Sequence, residues 1–386
     1  MAKRSRFFHD PNQSFFLFGP RGTGKSTWLK TTFPTALFID LLDPETFRTY
    51  SARPERLKEA VKGQSFGSTV VIDEVQKLPG LLDVVHLIME KSPQYRFILT
   101  GSSSRKLKQS GVDLLAGRAI VKTMHPFMAM ELEESFSLEE SLITGLVPLV
   151  ADSSHPLQTL RSYISIYIQE EVKQEGLVRN IGDFNRFLEA ISFSHGSALN
   201  VTEVGRECQV NRKTVEGYIS ILEDLLLSFK IDVFSKRAKR ILVAHPKFYF
   251  FDAGVFRALC PAGPIDSPSD IGGGALEGLI AQHLRAWIAY GDENCKLYFW
   301  RTKSGTEVDF ILYGENIFTA VEVKNSTRVD NKMLRGLRTF REDYPEASLL
   351  FLYRGKDRLV IDGILCMPSD EFLAQLTPES ASIIPD

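Results

Sequence analysis

Short apolar runs alternate with stretches of helical spacing through the first third of the chain. The runs are Phe15–Phe18, Ala36–Asp40, Thr69–Asp73, Arg96–Thr100 and Ala119–Thr123. Each is the length of a buried strand, and the stretches between them are long enough for crossover helices. That alternation predicts a parallel sheet. From about 131 to 228 apolar residues recur at threes and fours, as in Ile181–Ile191 and Val215–Leu227, so helices are expected there. From about 229 to 262 the pattern becomes strand-like, with Lys247–Asp252 as the main run. The stretch Cys260–Gly274 is rich in Pro, Gly, Ser and Asp and reads as a linker or exposed loop. A helix (Leu276–Tyr290), a run of strands, a helix (Asn331–Tyr344) and a strand (Ser348–Tyr353) then suggest a second, smaller α/β unit. No fixed-period repeat interrupts this order.

Composition narrows the class. The 386 residues suit two or three domains. With 44% hydrophobic and 24% charged residues, the chain has the make-up of an ordinary globular protein. A formal net charge of -2 means that nucleic acid could be held only by a local basic patch. The four cysteines, Cys208, Cys260, Cys295 and Cys366, are widely spaced and form no CxxC. That argues against zinc and against a disulfide framework. The first residues carry no signal-peptide pattern, and no apolar stretch approaches the ~20 residues of a membrane helix. A cytoplasmic protein without a membrane partner is the expectation.

The first strand runs directly into Gly19-Pro-Arg-Gly-Thr-Gly-Lys25-Ser26, which fits GxxxxGK[ST]. Glycines let successive backbone N–H groups turn inward around phosphates, and a helix opening at Lys25 adds its positive N-terminal end. ATP is therefore expected on Gly19, Gly22, Thr23, Gly24, Lys25, Ser26 and Thr27. Lys25 would reach the β- and γ-phosphates, and the Ser26 hydroxyl would ligate Mg²⁺. Thr69–Asp73 ends in Asp73-Glu74. Asp73 would hold Mg²⁺, and Glu74 would polarise the attacking water. Gly101-Ser102-Ser103-Ser104 follows the fourth strand. It suits either a γ-phosphate contact, with Ser102 foremost, or an N-cap for a helix near Arg105. Leu114–Arg118 ends a helix before the fifth strand, and Arg118 is either a finger toward a neighbouring subunit or a surface Arg after a Gly C-cap.

This order of parts resembles the AAA-type ATPases. Asp-Glu-Val-Gln-Lys (73–77), Thr-Gly-Ser-Ser (100–103), Leu-Ala-Gly-Arg (115–118) and His245–Gly254 look more narrowly like a bacterial and archaeal group whose ATPase domain precedes an uncharacterised C-terminal region. The resemblance implies a homo-oligomeric, hexameric ATPase. Arg161 and Arg186 are the candidates for a second sensor arginine in the helical zone.

Two further patterns point at DNA. Asn200–Ile219 reads as helix, tight turn, helix, with Thr202 as a cap and Val210-Asn211 as the turn. Arg212 and Lys213 open the second helix, where a recognition helix meets DNA, and a strand pair follows as in a winged helix. The run Lys236, Arg237, Lys239 and Arg240 could follow a phosphate backbone, or be a solvated loop. Farther on, the strands Trp300–Leu312 and Ala320–Lys324 flank a turn signal, Tyr313–Asn316. A hairpin there sets Asp309 beside or diagonal to Glu322, and period two puts Glu307, Asp309, Glu322 and Lys324 on one face. Carboxylates so crowded need a cation among them. A second Mg²⁺ or Mn²⁺ on Asp309 and Glu322, with Lys324 orienting a water, would meet that need. Glu277 could add a carboxylate. The pattern resembles the PD-(D/E)xK nuclease superfamily, which implies site residues Glu277, Asp309, Glu322 and Lys324. Trp300 and Tyr298 could stack on a base or belong to the core, and His283 reads as packing or surface.

Together these features predict a multidomain α/β protein: a P-loop AAA-like parallel sheet over 1–130, a helical and winged-helix region over 131–262, and a small nuclease-like α/β domain over 263–386. The expected activity is ATP hydrolysis that binds, moves along or remodels DNA, with nuclease activity as an addition. The alternative is a nucleotide-dependent switch that docks a protein partner, its nuclease-like end silent.

Overall fold

The computed structural model describes residues 4–103, 115–168, 172, 178, 180–236, 245–261, 263, 267–291 and 294–384. The chain divides into two units. The smaller is Phe8–His125 together with Asp224–Leu226; the rest forms the larger.

In the smaller unit five strands, β1 (Phe15–Phe18), β2 (Leu37–Asp40), β3 (Thr69–Asp73), β4 (Arg96–Gly101) and β5 (Ile120–Thr123), form a sheet in the order β2-β3-β4-β1-β5. Every neighbouring pair is parallel. Parallel strands are covered on both faces, so β1 can be a continuous Phe/Leu run with all four residues buried. Helices α1 (Lys25–Thr32), α2 (Pro44–Ala52), α3 (Arg56–Lys62) and α4 (Leu81–Lys91) connect the strands. The core gathers Phe16, Ile39, Leu57, Val70, Ile72, Leu82, Val85, Phe97 and Leu99, and Leu226 packs against it. Because β4 lies between β1 and β3, its C-terminal tip is flanked by the loop after β1 and the acidic end of β3.

The larger unit contains α5 (Leu138–Thr144), α6 (Ile181–Ser192), β6 (Ser197–Ala198), α7 (Val201–Glu207), α8 (Arg212–Asp224), β7 (Ser228–Val233), β8 (Lys247–Phe250), α9 (Ala253–Leu259) and α10 (Pro268–Tyr290). Strands β9 (Cys295–Arg301), β10 (Glu307–Gly314) and β11 (Phe318–Lys324), helix α11 (Arg335–Asp343), strands β12 (Ser348–Tyr353), β13 (Leu359–Ile361) and β14 (Ile364–Pro368), and α12 (Ser369–Gln375) follow. Nine strands run in the order β13-β14-β12-β11-β10-β9-β7-β8-β6. The parallel pair β7–β9 joins strands on either side of residue 262 (Asp232↔Tyr298, Val233↔Phe299), so the boundary expected there falls within one sheet.

Two local expectations are corrected, and one open alternative, for Trp300, is decided for the core. Residues 268–274, read as part of a loop, are the first turns of α10. Ser267 caps them and Pro268 occupies the first turn, where its missing N–H costs nothing. Two glycines of this helix serve close packing rather than a turn: a Cβ would lie 3.2 Å from Phe256 Cζ at Gly274 and 2.4 Å from His195 Nε2 at Gly278. Asn200, not Thr202, caps α7, its Oδ1 accepting from the Glu203 N–H at 3.3 Å. Trp300 is not a stacking platform. It is fully buried in a core with Phe234, Leu337 and Phe340, its ring 5.4 Å from that of Phe340. Tyr298 packs half-buried on the same core.

His283 is a packing residue. Its Nδ1–H donates to Leu279 O at 2.8 Å, and its Nε2 accepts from the Ala129 N–H at 2.9 Å. Burial lowers its pKa to about 4. Among the described residues no helix is long and apolar enough to cross a membrane.

Candidate functional site

The loop after β1 has the backbone its sequence requires. Gly19 passes so close to β5 that a Cβ would lie 2.5 Å from Met124 O. Gly22 (φ 81°) and Gly24 (φ 89°) take left-handed conformations that strain other residues. Gly24 is the N-cap of α1, so the chain turns from loop to helix with its N–H groups directed out of the helix end. The fully buried Thr23 donates from Oγ1 to Pro20 O at 2.7 Å. Lys25, only 5% exposed, donates from Nζ to Gly19 O at 2.6 Å and Pro20 O at 3.2 Å. The lysine therefore lies over the loop it is expected to serve. Ser26 is half-buried at the start of α1, and Thr27 is exposed.

The acids at the end of β3 accept hydrogen bonds from a hydroxyl and an amide. Asp73, 1% exposed, accepts a short hydrogen bond from the Thr100 hydroxyl of β4. Thr100 Oγ1 in turn accepts from the Glu74 N–H at 3.1 Å. Glu74 has φ 59° and ψ 46°, a strained backbone for a residue with a side chain, and strain of this kind collects at working sites. Gln76 donates from Nε2 to Glu74 Oε2 at 2.6 Å and to Ser102 Oγ at 3.1 Å. It thereby ties the acid to the tip of β4. Its Oε1 is buried without a hydrogen-bond partner among the described residues. Sequence reasoning gave Gln76 no role. No sequence signal marks it: two residues beyond Glu74, in a short 3₁₀ turn, it folds back over Gly101, where a Cβ would lie 2.5 Å from Gln76 Oε1.

Ser103 is fully buried beside Ser102. Ser104 and the helix start expected near Arg105 lie outside the described residues. Arg118 is exposed, its guanidinium 3.4 Å from His86 Nε2 and 3.9 Å from Glu90 Oε1, both on α4. Arg161 and Arg186 belong to the larger unit. Arg186 pairs with Asp183 at 2.5 Å and donates to Cys208 O at 3.3 Å.

In the larger unit, Asn211 Oδ1 accepts from the Thr214 N–H at 2.9 Å and so caps α8. Arg212 and Lys213 are exposed at its first turn, Arg212 paired along the helix with Glu216 at 2.9 Å. The Lys236 ammonium lies 4.2 Å from the centre of the Tyr313 ring. Arg237, Lys239 and Arg240 lie outside the described residues.

The hairpin β10–β11 has the expected register: Phe310 pairs with Val321 and Ile311 with Ala320. Continued by one residue, it sets Asp309 opposite Glu322. Asp309 Oδ2 accepts from the Val323 N–H at 2.9 Å and lies 3.7 Å from Lys324 Nζ, which also pairs with Glu322 Oε1 at 2.5 Å. The unexpected member is Lys247 of β8. Its ammonium, 1% exposed, meets Glu277 Oε1 at 3.0 Å, Asp309 Oδ1 at 3.1 Å, and Glu307. Tyr249, two residues on and so on the same face of the strand, donates its hydroxyl to Glu277 Oε1 at 2.6 Å. The sequence signal was a lone lysine at the head of an aromatic run, Lys247-Phe-Tyr-Phe-Phe.

Charges in this cluster are strongly shifted. Burial would lower the Lys247 pKa, but Glu277, Tyr249, Asp309 and Glu307 overcome it and hold the ammonium well above its usual value. Burial would raise Asp309, yet Lys247 and Lys324 keep it below the usual carboxylate range. Burial and the Asp309 charge push Glu322 up to about 8 and Glu277 to about 6. The second Mg²⁺ or Mn²⁺ expected here does not fit. At Asp309 and Glu322, where the ion was expected, the Lys324 ammonium already lies against both carboxylates, and the Lys247 ammonium fills the space between Glu277 and Asp309. Among the described residues Glu322 Oε2 is buried without a hydrogen-bond partner, and no group of three or more His, Cys, Asp or Glu side chains is arranged for a metal.

Residues 11–133 match a family described as AAA domain. Residues 135–266 match a domain of unknown function, DUF8612, and residues 272–372 another, DUF4143. No curated protein matches the chain. Among solved structures, the crystal structure of protein VC1899 from Vibrio cholerae is similar over 94% of this chain and 95% of that chain, at 10% identity and a TM-score of 0.22. The AAA match and the parallel five-stranded sheet agree that the smaller unit is an AAA-type P-loop domain.

Proposed function

We propose that the chain hydrolyses ATP with Mg²⁺ at the loop after β1 and couples that cycle to DNA held by the larger unit, working as a homo-oligomer. The carrying observation is the acid pair at the end of β3: Asp73 held by the Thr100 hydroxyl, and Glu74 by the Gln76 amide, beside the loop that begins at Gly19. A neutral hydroxyl orients Asp73 without cancelling its charge, which fits it to a cation, and the Gln76 amide directs Glu74. Ser26 and Asp73 are the residues that would hold Mg²⁺. Bound Mg²⁺ offsets phosphate charge and polarises the γ-phosphate. Lys25 and the backbone N–H groups from Gly22 onward bind the β- and γ-phosphates. Glu74 accepts a proton from the attacking water, and Gln76 Oε1 is an acceptor that the same water can use. Arg118, exposed on the unit's surface, would serve a neighbouring subunit; that role and the hexamer rest on the AAA-type resemblance alone.

DNA binding is supported by the order α6-β6-α7-α8-β7-β8 with β8 between β6 and β7, the arrangement of a winged helix. Arg212 and Lys213 stand exposed where its second helix begins. The test is ATP turnover with and without duplex, branched and single-stranded DNA over a range of salt. Stimulation that fades steeply with salt supports the reading. Turnover indifferent to every DNA, with a protein that co-purifies in one nucleotide state, favours the second reading, a switch that docks a protein partner. The cation already present in the carboxylate cluster is the observation in favour of that second reading.

A further inference from the structure

We infer that two ammonium groups, Lys247 on Glu277 and Asp309 and Lys324 on Asp309 and Glu322, are the resident cations of the Glu277–Asp309–Glu322 cluster, and that this cluster neither takes a divalent metal nor cuts a phosphodiester. The inference goes beyond ATP hydrolysis and stands on different residues. A divalent ion shared by Glu277 and Asp309 would sit about 2 Å from an oxygen of each. The Lys247 ammonium touches those same two carboxylates at 3.0 and 3.1 Å, so ion and ammonium claim the same space.

Lys247 has nowhere else to go. It is 1% exposed on a four-residue strand whose other residues are all buried. Its ammonium also lies 5.6 Å from the centre of the Phe299 ring, a further favourable contact for the charge. Moving it aside would bury an unpaired positive charge, and a neutral lysine would have to lose a proton that several carboxylates retain. Two further oxygens are committed, while Glu322 Oε2 is buried with no hydrogen-bond partner among the described residues. Asp309 Oδ2 takes the Val323 N–H, and Glu322 Oε1 takes Lys324. Glu307, on the same face, takes Arg301 at 3.3 Å as well as Lys247.

Lys324 therefore has no metal-bound water to orient, and its ammonium is an ion-pair partner of Glu322. What the cluster does instead is mechanical. One ammonium joins β8 to α10 and β10, although β7 and β9 separate β8 from β10 in the strand order.

The experiment uses the full chain without nucleotide. Free Mn²⁺ is followed by electron paramagnetic resonance during titration of the wild type, Asp309→Asn, Lys247→Gln and the double variant. Wild type and Asp309→Asn are expected to titrate alike. Lys247→Gln, which removes the charge and keeps most of the volume, is expected to gain about one Mn²⁺ per chain, lost again in the double variant. In parallel, nicking of supercoiled plasmid in Mn²⁺ is expected to be no greater for wild type than for Asp309→Asn. The inference is overturned if wild type binds one more Mn²⁺ than Asp309→Asn, or cuts where Asp309→Asn does not. A folded Lys247→Gln that takes no Mn²⁺ also overturns it. If Lys247→Gln does not fold, the wild type and Asp309→Asn decide the matter by themselves. ATP turnover is measured separately, so failure of the proposed function leaves this test standing.

Discussion

Each unit of this chain gathers acids at a strand end, and the two gatherings differ in what holds them. In the smaller unit Asp73 and Glu74 are held by a hydroxyl and an amide, Thr100 and Gln76. In the larger unit Glu277, Glu307 and Asp309 are held by one ammonium, Lys247. A neutral donor such as the Thr100 hydroxyl fixes the direction of Asp73 and leaves its negative charge to act on something else. A buried cation fixes direction and cancels the charge. Carboxylate spacing alone therefore does not identify a metal site; the partners of those carboxylates decide it.

The comparison breaks most completely at Lys25. Lys25→Ala should reduce ATP turnover to background in a phosphate-release assay, and turnover near wild type would remove the smaller unit's site. Arg118→Ala should lower turnover by about a thousandfold while nucleotide still binds, and mixing it with wild type should slow the wild type. Unchanged turnover would make Arg118 an ordinary surface residue. Lys247→Met should lower the stability of the larger unit by about 3–5 kcal/mol in urea unfolding, because it leaves buried acids unpaired. A neutral effect would mean that Lys247 is not the cation these acids depend on. Gln76→Leu sharpens the other side. Losing one orienting hydrogen bond to Glu74 should lower kcat by about tenfold with the KM for ATP little changed. The smallest effect is on pH. His283, neutral in the fold with a pKa near 4, takes up a proton more readily when unfolded, near 6.5. The unfolded state then binds more protons, so stability present above about pH 6.5 is lost as pH falls toward 4. His283→Gln should flatten that slope in a series of thermal melts.

Much of the smaller unit was legible in the sequence. Thr69–Asp73 and Phe15–Phe18 were found at their observed bounds, because strands covered on both faces are uninterrupted apolar runs. The register of β10 and β11 was legible from the turn and the period-two pattern. The start of α10 was not. Pro, Ser and Gly signal a loop by composition, and only the contacts of Gly278 with His195 show that here they open a closely packed helix. Lys247 was not legible as a site residue either. It lies 62 positions before Asp309, and the need for a cation between the carboxylates was visible while its source was not. Gln76 was in view in the stretch 73–77, but its reach to Ser102 depends on a turn that no spacing rule gives.

The smaller unit is not contiguous in the chain. Asp224–Leu226 belongs to it, and Leu226 packs on its core, about a hundred residues after His125. During synthesis, with the N-terminal end emerging first, the nucleotide-binding unit stays one piece short until most of the helical region has left the ribosome. Any fragment that stops near His125 leaves that patch of core bare. Such a fragment should be prone to aggregate, and supplying the missing residues, rather than shortening further, is the way to make it behave.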